Sequence, residues 1–388
     1  MNISKRLLSV EPSATLAITS KAKSMVNAGE DVVIFAAGEP DFDTPDEVKE
    51  AAIKAIKAGR TKYTPAGGTV TLKEAISRKF KRDNNLDYRT DEIVISCGAK
   101  HSLYNIFQVI CDPGDEVLIV SPYWLSYEEM VKLAGAVPKI LKTDVKNAFR
   151  IRPEDIKSAV TKKTRAIVIN SPSNPAGVVY DKGELEKIAD VCVSNGVVIV
   201  SDEIYEKIIF DGGKHYSIAS VSDEVKQNTI VVNGVSKSFS MTGWRVGYLA
   251  GDKEMVKKVI TLQSHSTSNP CSISQAAAEC AIDSDLEGII KKNCDEFQER
   301  RNFLMEGLSG QDKVVPFNPQ GAFYLFCDVS GCGMDSLTFS KRILEEKKVA
   351  VIPGGPFGED SYIRLSFATD LAAIEKGVNR IKDWVKGL

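Results

Sequence analysis

Three short segments place polar and ionisable side chains directly after β-branched runs. Asn170-Ser171-Pro172-Ser173-Asn174-Pro175-Ala176-Gly177 follows the run 165–169. Asp202-Glu203-Ile204-Tyr205 follows 197–201, and a stretch containing Ser236, Lys237, Arg245 and Gly247 follows 229–232. In an open α/β sheet the ligand lies beyond the carboxyl ends of the strands, so these segments converge on one crevice. They bring an asparagine, an aspartate, a tyrosine, a lysine and an arginine to it. That set meets the needs of pyridoxal 5′-phosphate chemistry, in which an amine forms a Schiff base and an acid faces the pyridinium nitrogen.

The elements that must carry these residues are legible in the hydrophobic pattern. Strand-like runs at 92–97, 116–120, 165–170, 197–201 and 229–233 alternate with helical stretches, as in a parallel sheet covered on both faces. Thr44-Pro45-Asp46-Glu47 reads as a helix start with Thr44 at the N-cap, Thr71 with Glu74 repeats the capping pattern, and Asp181 with Glu184 resembles it again. The run 92–97 leads into Gly98-Ala99-Lys100 and a helix over 101–110. Small residues at a helix start let backbone N–H groups approach an anion, which makes this a phosphate cradle. Beyond about Asp285 the character changes. A charged helix over 286–309 precedes strands near 322–327, 349–352 and 362–366, and a closing helix carries Ile374, Val378, Ile381 and Val385 on one face. This predicts a second, smaller α+β domain.

Composition narrows the partners. The 388 residues suffice for a deep core, and 43% hydrophobic with 26% charged residues is the balance of a globular protein. Fifty Lys plus Arg against 52 Asp plus Glu give a net charge of −2, so no electrostatic footprint for nucleic acid or an anionic membrane exists. The eight cysteines form no C-x-x-C pair, and the three histidines, at 101, 215 and 265, are too scattered for a local metal motif, although neighbours in space stay open. The expectation is therefore reduced thiols and no metal. Glu11 and Pro12 interrupt the only apolar run near the N-terminus, no later stretch reaches the roughly 20 apolar residues of a membrane span, and the cytoplasm is the expected location. The usual dinucleotide and Walker loops are absent.

Read together, Ser171-Pro172-Ser173-Asn174-Pro175-Ala176-Gly177, Asp202-Glu203-Ile204-Tyr205 and the Lys237-to-Arg245 segment resemble, in order, the class I aminotransferases of pyridoxal-phosphate fold type I. The resemblance runs from Gly38-Glu39-Pro40-Asp41-Phe42 to Tyr362-Ile363-Arg364-Leu365-Ser366. It implies an α/β large domain over 44–285, with a mostly parallel seven-stranded sheet between helices, and a small α+β domain made from 1–43 and 286–388. It also implies roles. Lys237 forms the Schiff base and then moves the Cα proton, and Asp202 keeps the pyridine nitrogen protonated, with a plain helix N-cap as its alternative. Asn174 and Tyr205 hydrogen-bond the phenolic oxygen. Gly98, Ala99, Ser236 and Arg245 hold the phosphate, with Tyr63 reaching in from a second subunit of a homodimer or else merely packing. Trp124 stacks on the cofactor, while Arg364 and the backbone of Gly38 take the substrate α-carboxylate.

The segment Glu11-Pro12-Ser13-Ala14-Thr15, Lys100 and Ser121-Pro122-Tyr123-Trp124 most resemble the bacterial and archaeal aspartate aminotransferase subgroup. The implied reaction is ping-pong transfer from L-aspartate to 2-oxoglutarate, so the partners are amino acids and 2-oxo acids. Lys100, with Ser13 and Thr15, is the candidate reader of an acidic side chain, or Lys100 simply neutralises the phosphate. Prephenate or aromatic transamination, a C–S lyase and a non-catalytic cofactor sensor are the alternatives.

Overall fold

The fold is described from a computed structural model covering residues 2–388. Its strands are β1 (Val33–Ile34), β2 (Ile93–Ser96), β3 (Glu116–Val120), β4 (Val137–Leu141), β5 (Thr164–Asn170), β6 (Val198–Asp202) and β7 (Thr229–Gly234). They continue with β8 (Gly247–Ala250), β9 (Val315–Phe317), β10 (Tyr324–Asp328), β11 (Val349–Ala350), β12 (Ile352–Pro353) and β13 (Tyr362–Ser366). Seven form the main sheet in the order β2-β8-β7-β6-β5-β3-β4, parallel except for β8, which runs antiparallel to both neighbours. The architecture is the α/β one expected.

The central strands read as continuous apolar runs because both of their faces are covered. Alternate residues serve opposite cores, the period-two geometry of a strand. Ile167, Ile169 and Ile199 pack with Leu185, Ile188 and Cys192 of the helix Lys182–Ser194. Ala166, Val168 and Val200 face Leu103, Ile106 and Phe107 of the helix Ala99–Ile110. Each fully buried aliphatic side chain contributes roughly 1.5–3 kcal/mol, which makes the sheet a stiff platform for the loops at its carboxyl edge.

The remaining strands form a second group. β12-β13-β10-β9 is an antiparallel sheet, and β1 pairs in parallel with β11, so the N-terminal segment is tied to the C-terminal part. Phe297, Leu304 and Leu308 of the helix Glu287–Leu308, with Ile374, Ile381 and Trp384 of the closing helix Leu371–Lys386, fill the core beside it. The single strand expected over 349–352 is two, because its halves pair with different partners on either side of Val351. Strand β4 escaped the sequence reading because Pro138 sits in it, which an edge strand tolerates.

Two caps are corrected. The helix Asp46–Lys57 starts after Pro45, without a side-chain cap. The Thr44 hydroxyl instead donates to the Ser240 carbonyl at 2.8 Å and accepts from Trp244 Nε1 at 3.0 Å, pinning the loop that follows Lys237. Thr71 lies inside the helix Val70–Asn84 and donates to Glu279 at 2.6 Å. The Asp181–Glu184 box forms in both directions, each bond 2.8 Å. Among the described residues no helix is long and apolar enough to cross a membrane.

Candidate active site

The carboxyl ends of β5, β6 and β7 open into a cleft of about 570 Å³ between the main sheet and the second group of strands. Of the residues singled out in the sequence, Ser13, Thr15, Gly38, Ala99, Lys100, Trp124, Asn174, Asp202, Tyr205, Ser236, Lys237, Arg245 and Arg364 all line it. Gly98 lies just behind the wall, and Tyr63 does not reach the cleft.

Lys237 projects from the turn after β7, and its Nζ donates to the Gly38 carbonyl at 2.5 Å. Burial lowers the ammonium to about 8 from an ordinary value near 10.5; Arg364 and Arg245 add to the effect, while Glu39 and Asp202 oppose it. A lysine in this position is substantially neutral in mildly alkaline solution, as a nucleophile or base must be. Glu39, a lining residue that the sequence reading passed over, is held by the Thr242 hydroxyl at 2.8 Å.

Asp202 ends β6 and is followed by a turn, so the helix-cap reading falls. Its carboxylate is buried, and burial raises it to about 6 from 3.8. Two donors oppose that shift: the Tyr127 hydroxyl at 2.6 Å to Oδ2 and the Ile204 N–H at 3.2 Å to Oδ1. Trp124 meets the Tyr127 ring edge-on at 5.3 Å and 85°. The Lys100 ammonium lies 4.9 Å from the center of a Trp124 ring, and its affinity for a proton is lowered by burial and then by Arg245.

Arg245 lies against the start of the helix Ala99–Ile110. Its Nη1 donates to the Thr242 carbonyl at 2.9 Å and its Nη2 to the Cys97 carbonyl at 3.3 Å, and its backbone holds φ at +55°. That left-handed conformation costs a non-glycine residue free energy and is characteristic of functional sites. Two glycines make the geometry possible. A Cβ on Gly98 would fall 2.4 Å from Arg245 Nη2, and one on Gly247 would fall 2.1 Å from the Ala99 nitrogen. The arginine and β8 therefore press against the first turn of the helix Ala99–Ile110, whose N–H groups face the cleft end where Ser236 also sits.

Arg364, on β13, is the largest fully buried side chain. Its Nη1 donates to Asn174 Oδ1 at 3.0 Å, but Nε and Nη2 have no partner. The guanidinium stacks 4.2 Å from the Tyr324 ring, on the adjacent strand β10, and burial lowers its hold on its proton. A buried cation with two free donors requires a ligand anion, and a carboxylate fits that fork. Tyr205 shares a 2.9 Å hydroxyl contact with Tyr324, a second residue that sequence reading missed. The available signal was alternation: Tyr324 and Arg364 sit diagonally on one face of β10 and β13.

On the opposite wall, Ser13 accepts from the Leu16 N–H at 3.4 Å and so caps the helix Ala14–Asn27, whereas the Thr15 hydroxyl is buried without a partner. Tyr63 is 91% exposed. The spatial neighbour left open for the histidines is real: His215, Glu203 and Glu206 bring ligand atoms within 4.8 Å of one another. The Lys79 ammonium pairs with Glu206, however, and Ser201 and Ser217 donate to Glu203 at 2.8 and 2.6 Å, so this is a buried charge network behind the site. All eight cysteines are unpaired.

Comparison with known proteins gives a consistent result. Residues 30–381 match the family model for aminotransferase class I and II. An aspartate aminotransferase from Geobacillus stearothermophilus is 50% identical over 387 residues, spanning 98% of each chain. A probable aspartate/prephenate aminotransferase from Rickettsia conorii is 46% identical over 391 residues, spanning 98% of this chain and 97% of the other. The solved structure of the Thermus thermophilus aspartate aminotransferase with maleate superposes with a TM-score of 0.95 at 40% identity, covering 99% of both chains.

Proposed function

We propose a specific activity from the premise that this chain belongs to the class I and II aminotransferase family: it is an aspartate aminotransferase that uses pyridoxal 5′-phosphate. The reaction is the reversible, ping-pong transfer of the amino group from L-aspartate to 2-oxoglutarate, giving oxaloacetate and L-glutamate. The observation that carries this reading is the gathering of Lys237, Asp202, Arg245 and the half-satisfied Arg364 in one cleft.

The residues fit the cofactor. Arg245, Ser236 and the helix start at Gly98 and Ala99 suit its phosphate, Asp202 its ring nitrogen, Asn174 and Tyr205 its phenolic oxygen, and Trp124 its ring face. When bound, the cofactor supplies an aldehyde for the amino group and a ring that accepts the electron pair left at Cα. The protein does the rest. Arg364 Nε and Nη2 grip the substrate α-carboxylate beside Gly38, which orients the Cα–H bond. Lys237 Nζ accepts the Cα proton and holds it until its return. Asp202, kept ionised by Tyr127, holds a proton at the ring nitrogen. The dry walls strengthen each of these interactions.

Substrate choice falls to Lys100, assisted by Ser13 and Thr15, as the cation for a second carboxylate. The Rickettsia relative supports a second reading, in which prephenate also serves as amino acceptor. Tyr63, exposed and outside the cleft of its own chain, supports a homodimer in which it reaches the phosphate of the partner's site. Free cysteines suit the reducing cytoplasm, and the division into 44–285 and 1–43 with 286–388 suits the two groups of strands.

A panel of amino donors against 2-oxoglutarate, oxaloacetate and prephenate tests the reading. Aspartate and glutamate are expected to lead, and Lys100→Ala is expected to cut kcat/KM for aspartate at least about 10-fold more than for alanine or phenylalanine, as loss of a charge-assisted contact implies. Equal losses across the donors would assign Lys100 to the phosphate instead. A wild-type enzyme inactive with all donors would end the aminotransferase reading.

A further inference from the structure

We propose that Tyr127 is a positioning residue for the reaction: its hydroxyl, donated to Asp202 Oδ2, fixes the carboxylate that faces the cofactor ring. The proposal rests on the reading of the cleft as a pyridoxal-phosphate site. Asp202 ends β6, whereas Tyr127 belongs to the helix Ser126–Leu133 that follows β3, two places away across β5 in the sheet. A tyrosine is long enough to span that gap, and its contact is 2.6 Å, the length of a charge-assisted O–H···O⁻ bond.

Both partners are buried, Tyr127 at 2% and Asp202 at 3% exposure. A carboxylate so removed from water needs donors to stay ionised. The groups facing it are few. The Ile204 N–H holds Oδ1 at 3.2 Å, Lys237 favours the charged form, and Glu203 disfavours it. Burial and the charge of Asp202 hold the Tyr127 phenol well above its ordinary value, so it remains a donor across the working pH range. Each Asp202 oxygen accepts one bond and retains capacity for another, which leaves room for a ring N–H. The Tyr127 ring also braces Trp124 edge-on, so one side chain sets both the acid and the aromatic wall of the site.

The test separates the hydroxyl from the ring. In apoprotein labelled with ¹³C-carboxyl aspartate, the Asp202 signal is identified by its loss in Asp202→Asn and titrated. In Tyr127→Phe, which keeps the ring, the midpoint is expected about one to two pH units above that of the wild type. Affinity for pyridoxal phosphate at pH 7 should fall by about 10-fold or more. Tyr123→Phe removes a neighbouring hydroxyl that donates to Glu128 at 2.6 Å and should leave the Asp202 midpoint where it was. Site-specific 3-fluorotyrosine at position 127, a more acidic phenol of nearly the same shape, should move the midpoint downward; it carries the test should Tyr127→Phe fail to fold. An Asp202 midpoint unmoved in the Tyr127 variants overturns the proposal, even if cofactor affinity falls. Wild-type apoprotein that does not bind pyridoxal phosphate overturns the reading of the cleft itself.

Discussion

Lys237 and Asp202 are both held away from their ordinary protonation by the same burial that makes the cleft dry. The consequence for stability has a definite sign. The Asp202 value is raised to about 6 from 3.8, so between those two pH values the folded chain keeps a proton that the unfolded chain releases. Folding stability contributed by this group is therefore lost as pH rises through 6, by about 3 kcal/mol once both states are ionised. Asp202→Asn keeps the shape and the Tyr127 contact without the charge. Its apoprotein is expected to resist urea better than wild type at pH 8, by up to that amount, and equally well below pH 4, while transamination is lost. Urea titrations at the two pH values check this; a variant less stable at pH 8 would show that the carboxylate does not burden the fold.

At the scale of elements, the site depends on how closely β8 and its preceding loop approach the start of the helix Ala99–Ile110. The absence of a side chain at Gly247 permits that approach, since a Cβ there would meet the Ala99 nitrogen at 2.1 Å. Gly247→Ala is expected to destabilise the protein by about 1–3 kcal/mol, the usual cost of overpacking, and to weaken binding of inorganic phosphate and pyridoxal phosphate together. Urea unfolding and fluorescence titration measure both; unchanged phosphate affinity would separate the cradle from this contact. Legibility in the sequence divides along the same line. Strands β3 and β13 were bounded to the residue, β3 because an apolar run announces itself and β13 because the pattern Tyr362-Ile363-Arg364-Leu365-Ser366 marks it. Lys237, Asp202 and Arg245 were legible because a short motif surrounds each. Tyr127 and Tyr324 were not, since each meets its partner from a separate element far away in the chain, at 75 and 119 positions' separation. The caps at Thr44 and Thr71 misled for a related reason: tertiary partners claimed hydroxyls that local spacing had assigned to helix ends.

For the whole molecule, the pairing of β1 with β11 and the cleft between two groups of strands make both ends of the chain part of one site. The proposed homodimer, in which the exposed Tyr63 reaches the partner's site, would extend that logic to a second copy. A dimer sharing its sites predicts complementation. Tyr63→Phe alone should weaken pyridoxal phosphate binding roughly 10-fold, as the loss of a hydrogen bond to a charged group does. Mixed with Lys237→Ala and allowed to exchange subunits, it should form hybrids in which one of the two sites regains wild-type affinity. Absence of that high-affinity population in a dimer of proven exchange would place Tyr63 outside the site.

The central claim is that one amine, Lys237 Nζ, moves the proton that converts aspartate to oxaloacetate. A single-turnover experiment, with enzyme and pyridoxal phosphate in excess over L-aspartate, measures that step without the second substrate. Wild-type protein is expected to release stoichiometric oxaloacetate and leave pyridoxamine phosphate. Lys237→Ala, folded and loaded with cofactor, is expected to bind aspartate but form oxaloacetate at least about 1,000-fold more slowly, as removal of a general base implies. Oxaloacetate formed by Lys237→Ala at the wild-type rate would contradict the account.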